Sequence, residues 1–120
     1  MRARFVVILI LAAVLLGTAS PAFADRREDA KAQVEFGWEV AVKGLWGEAT
    51  YRWLKAVEID PTYAAAWNNL GIAYEQQGKF EDARKAYEKA IALEPNNNFI
   101  RQNNDLFREI YDRQNIRRGR

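Results

Sequence analysis

The chain of 120 residues has no cysteine and no histidine, and its only serine is Ser20. Disulfides are therefore excluded, and so are thiolate and imidazole ligands for a metal. The nucleophiles of serine and cysteine hydrolases, and the commonest general base, are missing as well. Little is left from which to build an enzyme, and no bound cofactor is expected. Acidic residues are absent from the first 24 positions, which carry Arg2 and Arg4. The remaining 96 residues balance 16 basic against 16 acidic side chains, so the formal charge of +2 resides entirely in the N-terminal segment. A chain balanced in this way does not point to nucleic acid as a partner. Its size suits one small domain.

Met1 to Arg4 is short and doubly basic, and Phe5 to Leu16 is an unbroken run of 12 apolar residues. Gly17 to Pro21 interrupt the run, and Ala22-Phe23-Ala24 places small residues at −3 and −1 of a junction. These are the three regions of a secretory signal peptide, with cleavage predicted between Ala24 and Asp25. The expected product is exported, to the periplasm or beyond, with no membrane span. The alternative is an uncleaved anchor with the domain on the periplasmic side, since Arg4 and Asp25 bracket 20 uncharged residues, about enough to cross a bilayer.

Beyond Arg26 the only prolines are Pro61 and Pro95, 34 residues apart. The same offset carries Gly37 onto Gly71, Gly44 onto Gly78, Ala49 onto Ala83 and Ala56 onto Ala90. It also carries Trp53 onto Tyr87 and Trp46 onto Phe80. A fixed period of this length marks a solenoid of stacked units. Each unit reads as two helices parted by a glycine able to take the left-handed C-cap conformation, Gly44 or Gly78. Gly71 and Ala83 are small residues that let facing helices approach closely. Pro61 and Pro95 end their units because neither can continue the preceding helix. Thr62, and one of Asn96 to Asn98, are candidate caps for the helix that follows. The pattern predicts an all-α chain with helices near 28–43, 47–59, 63–77, 81–93 and 98–115.

The fifth helix differs from the others. Arg101, Asn104 and Asp105 stand where the period would repeat Trp67, Leu70 and Gly71. Phe99, Ile100, Leu106, Phe107, Ile110 and Tyr111 cover one arc and Arg101, Asp105, Arg108 and Asp112 the opposite one. One apolar and one wet face is the expected pattern of a terminal cap. Residues 117–120 form a basic tail. Of the paired acids, Glu81 and Asp82 open a helix, where the macrodipole favours negative charge, and they do not converge as a catalytic pair would.

Trp67-x2-Leu70-Gly71-x2-Tyr74, then Ala83-x3-Tyr87-x2-Ala90 and Pro95, resembles the tetratricopeptide repeat at every signature position. The first unit is looser. Phe36-Gly37, Ala49, Trp53, Ala56 and Pro61 fit, whereas Gln33 and Val40 stand where Trp and Tyr are usual. The resemblance implies an antiparallel helix-pair solenoid over residues 25–116, with repeats at about 30–63 and 64–97 and a capping helix at about 98–115. It also implies a non-enzymatic interaction module that takes a peptide or helix of another protein in a concave groove. The residues lining that groove would be Lys31, Val34, Trp38, Asn68, Asn69, Ile72, Glu75, Phe99 and Gln102. Trp38 matches no signature position, and packing into the core is its alternative role. The family's carboxylate clamp is not expected, because the comparable sites carry Val34, Trp38, Asn69, Phe99 and Asn103. Self-association is the other functional reading: two repeats fall short of the number that usually secures a solenoid, and Tyr51 and Trp46 lie near the open N-terminal end.

Overall fold

A computed structural model describes residues 21–119, so the predicted signal segment lies outside the described residues up to Ser20. Five helices run in order: α1 (Pro21–Ala41), α2 (Trp46–Ile59), α3 (Ala64–Gln76), α4 (Phe80–Leu93) and α5 (Asn98–Arg118). No strand occurs among the described residues. α1 pairs with α2 and α3 with α4, the two hairpins meet through α2 and α3, and α5 packs on α4 and α3. This is an all-α solenoid of helix pairs, closed by a fifth helix.

The turns inside each hairpin are chemically equivalent. Gly44 and Gly78 have φ of 78° and 72°, in the left-handed region that a side chain makes costly. Around them the Leu45 N–H donates to the Val40 carbonyl at 3.1 Å and the Lys79 N–H to the Tyr74 carbonyl at 2.8 Å. These bonds satisfy carbonyls that the helix end leaves open. The connection between the hairpins is organised otherwise. The predicted cap Thr62 does not cap α3. Its hydroxyl donates to Asp60 at 2.6 Å and its N–H to the same oxygen at 3.0 Å, because the buried Asp60 carboxylate gathers the turn's donors. The expected asparagine cap of α5 is Asn97, whose side chain accepts from the Phe99 and Ile100 N–H groups.

A continuous core runs through α1, α2 and α3 to Ala86 of α4, and small side chains dominate it. Ala30, Ala49, Ala56, Ala66 and Ala73 are wholly buried there. At the centre of each hairpin an aromatic ring lies on a glycine: Trp53 on Gly37 and Tyr87 on Gly71. Each ring is tethered by its polar atom. Trp53 Nε1 donates to the Val34 carbonyl at 3.1 Å, and the Tyr87 hydroxyl donates to Glu75 at 2.9 Å. Burial first, and then the Glu75 carboxylate, push the Tyr87 hydroxyl up from its ordinary pKa.

Two boundaries differ from expectation. α1 is already helical at Pro21, the first of the described residues, seven residues before the start that the periodicity predicts. Arg27 holds this extension to the body: it pairs with Asp60 at 2.5 Å and lies over the Tyr63 ring. α5 runs to Arg118 rather than stopping near 115.

The apolar arc of α5 is only partly covered. Ile100 and Phe107 are buried and Tyr111 is half-buried, with Phe107 tilted against Tyr87 at 5.2 Å and stacked on Tyr111 at 5.5 Å. Phe99, Leu106 and Ile110 instead stand 62%, 55% and 44% exposed. The arc is wider than the surface that α3 and α4 offer it, so part of it stays open beside the wet face, where Arg101, Asp105, Arg108 and Asp112 are exposed as expected.

Candidate functional site

The first helix of each unit and α5 share one face of the solenoid, and the 34-residue period sets their side chains in columns. Trp38, Ile72 and Leu106 form one column, and Lys31, Ala65 and Phe99 another. Trp38 is 39% exposed, yet it is held firmly. Its ring meets Trp53 edge-on at 5.1 Å and 67°. Its indole N–H lies 3.2 Å from the Asn69 amide oxygen when that amide is turned to give its nitrogen to the Ala65 carbonyl. Trp38 thus packs on Trp53 while part of it stays exposed.

The expected lining residues fall into three groups. Lys31, Trp38, Phe99 and Gln102 are exposed, and Lys31 pairs with Glu28 at 3.0 Å. Ile72 and Glu75 are half-buried: Ile72 packs towards Tyr87 and Phe107, and Glu75 is occupied by the Tyr87 hydroxyl. Val34, Asn68 and Asn69 are buried. Val34 belongs to the core and lends its carbonyl to Trp53. Asn68 accepts from the Asn103 amide at 3.2 Å and so helps to join α3 to α5. Two asparagines in the wall between neighbouring helices act as positioning groups, because an unpaired buried amide is costly.

Leu106 and Ile110 add apolar surface to this face, although neither is in the expected set. The period points to both, carrying Trp38 through Ile72 to Leu106 and Val42 through Gln76 to Ile110. The polar residues at the signature positions of α5 mask that continuity. The N-terminal patch is differently made. Trp46 is half-buried against the core, and the Tyr51 ring lies beside Arg52 and Lys55.

Glu81 accepts from the Tyr111 hydroxyl and from Arg84, which together hold its carboxyl below the usual range. That contact fastens α5 to α4. Among the described residues no group of three or more acidic, His or Cys side chains is placed to hold a metal. No described helix is long and apolar enough to cross a membrane.

Residues 64–97 match the family described as "Tetratricopeptide repeat", and residues 43–78 match "TPR repeat". The chain is a tetratricopeptide repeat protein. It is 39% identical over 54 residues to the tetratricopeptide repeat domain-containing protein PYG7, chloroplastic, of Arabidopsis thaliana. That match covers 45% of this chain and only 18% of the plant protein. An uncharacterized protein of Methanocaldococcus jannaschii is 33% identical over 69 residues, covering 58% of this chain and 80% of its own length. Among solved structures, the Arabidopsis OM64 TPR domain superposes with a TM-score of 0.67 at 19% identity, covering 73% of each chain. At that identity the likeness speaks to fold alone. Tetratricopeptide repeat proteins mediate protein–protein interaction.

Proposed function

We propose that the chain is a non-enzymatic, exported interaction module that binds a peptide or helix of another protein along the face carrying Trp38, Ile72 and Gln102. The observation that carries this reading is the fixed, half-open Trp38. A large ring held in advance by Trp53 and Asn69 gives contact area with little ordering cost on binding. Around it Ile72, Leu106 and Phe99 are apolar and the Gln102 amide is exposed, which suits an extended or helical segment better than a small charged ligand. Export rests on the residues from Met1 to Ala24, whose basic start, apolar run and small-residue junction form a signal peptide pattern.

Co-purification from native cells tests the binding face. Trp38→Asp should cut recovery of the partner by about tenfold or more, while Phe36→Asp, outside these columns, should leave it unchanged. Equal recovery with both variants, each folded by circular dichroism, would refute the groove. N-terminal sequencing of the protein taken from the same cells tests export. Asp25 as first residue is the expected result, and a retained Met1 on cytoplasmic protein would overturn it.

A further inference from the structure

The exposed face of α5 carries a pattern that a single chain leaves incomplete. Phe99, Leu106, Ile110, Arg113 and Arg117 recur at steps of 7, 4, 3 and 4 residues, so they form one stripe along the helix. The stripe is aromatic at its start, aliphatic in the middle and cationic at its end. Of the other exposed aromatic rings three have a cation over them, Arg26 over Phe23, Arg52 over Phe36, and Arg52 and Lys55 over Tyr51, and Trp38 does not. Among the described residues, Phe99 has no such cover despite being the most exposed of these aromatics. Arg117, at the other end of the stripe, has no ion pair among the described residues, whereas Arg113 pairs with Glu109. Eighteen residues of helix separate Phe99 from Arg117, about 27 Å, so the two cannot meet within one chain.

They meet if the stripe is laid antiparallel on a copy of itself. A two-fold axis at the level of Arg108 sets Leu106 against Ile110 of the other copy and Phe99 against Arg117, twice over. The centre is then apolar and both ends are cation–aromatic pairs. The two cationic ends lie at opposite extremities and do not repel. We infer that two copies of this chain associate through an antiparallel pairing of their α5 helices. The occupant is a second copy because the stripe is complementary to itself end for end, as an isologous contact requires. A helix of 21 residues is about 31 Å long, which places the contact at the small end of specific interfaces. The dimer is accordingly one that dilution dissociates. Phe99, Leu106 and Ile110 lie in the columns of the proposed binding face, so the pairing rests on that face and covers its α5 end. Trp38 itself lies on α1, outside the stripe, and Trp38→Asp should leave the association unchanged while it cuts partner recovery.

Sedimentation equilibrium on protein purified from its native host, over micromolar to millimolar concentrations, reads the association. A monomer–dimer equilibrium is expected. Leu106→Glu, a change at an exposed position, should weaken it by about 30-fold or more. Arg117→Glu should weaken it by about tenfold, and adding Phe99→Lys should restore it to within about threefold. That rescue requires residue 99 of one copy to face residue 117 of the other. The cysteine-free sequence permits an independent reading. Mixing Phe99→Cys with Arg117→Cys under oxidising conditions should yield the mixed disulfide in preference to either like pair. A mass that stays monomeric throughout, a dimer indifferent to Leu106→Glu, the absence of rescue, or a predominance of like pairs would each overturn the inference.

Discussion

At Gly71 a single added carbon would stand 2.7 Å from the ring of Tyr87, and at Gly37 it would lie closer still to Trp53. Each ring is wholly or nearly buried and tethered at its polar atom, so neither can swing aside. Glycine is therefore required at these positions for space, in the middle of helices where its backbone freedom is a disadvantage. Gly71→Ala should destabilise the fold by about 2 kcal/mol through overpacking, although alanine is the better helix former by about 1 kcal/mol. Gly47 supplies the contrast. It lies in the first turn of α2 with open space around it, and Gly47→Ala should stabilise by about 0.5 kcal/mol. Urea titration of the two variants checks the opposite signs. A stabilising Gly71→Ala would show that the ring and the helix do not bear on one another as described.

At the scale of helices, the contact that docks the start of α1 is Arg27 on Asp60. Burial alone would raise the Asp60 carboxyl, but hydrogen bonds from the Thr62 hydroxyl, Arg27 and the Thr62 N–H outweigh it, aided by the Arg27 charge. The net effect lies below the ordinary value of 3.8. With the folded value depressed, the unfolded chain takes up the proton more readily. The contribution is complete above 3.8 and is lost as pH falls through the folded value. The melting temperature should therefore fall more steeply between about pH 5 and about pH 2 in the native protein than in Asp60→Asn. Parallel acid slopes would remove Asp60 from the docking of α1. The helix pairs themselves were legible in the sequence, because glycine, proline and the aromatic–glycine match repeat at 34 residues. The extension of α1 to Pro21 was not, since it depends on a pairing across 33 residues. The exposed arc of α5 was also concealed. Apolar periodicity states which residues lie together on a helix but not how much of that arc the neighbouring helices can cover. Of the residues assigned to the groove, Trp38, Lys31, Phe99 and Gln102 fall on the exposed surface. Val34, Asn68 and Asn69 do not, because small shifts of a side chain around a helix decide between wall and floor.

For the molecule as a whole, the relation between two parts of one face governs what it can do. One carries Trp38, braced from behind by the same Trp53 that fills the core over Gly37. The binding proposed for that face would therefore be coupled to the packing of the first repeat, whose signature is the looser of the two. The other is the α5 stripe, whose Phe99 and Leu106 continue the same columns at the far end of the solenoid. A partner segment that reached α5 would therefore compete there with a second copy. The central claim, that the Trp38 face receives another protein, is tested most directly by photo-crosslinking in the native cell with the crosslinker in place of Trp38. Adducts identified by mass spectrometry should contain a segment of a different protein, and the same crosslinker at Phe36 should give none of that adduct. A folded protein that forms no adduct at position 38, or the same adducts at both positions, would contradict the account.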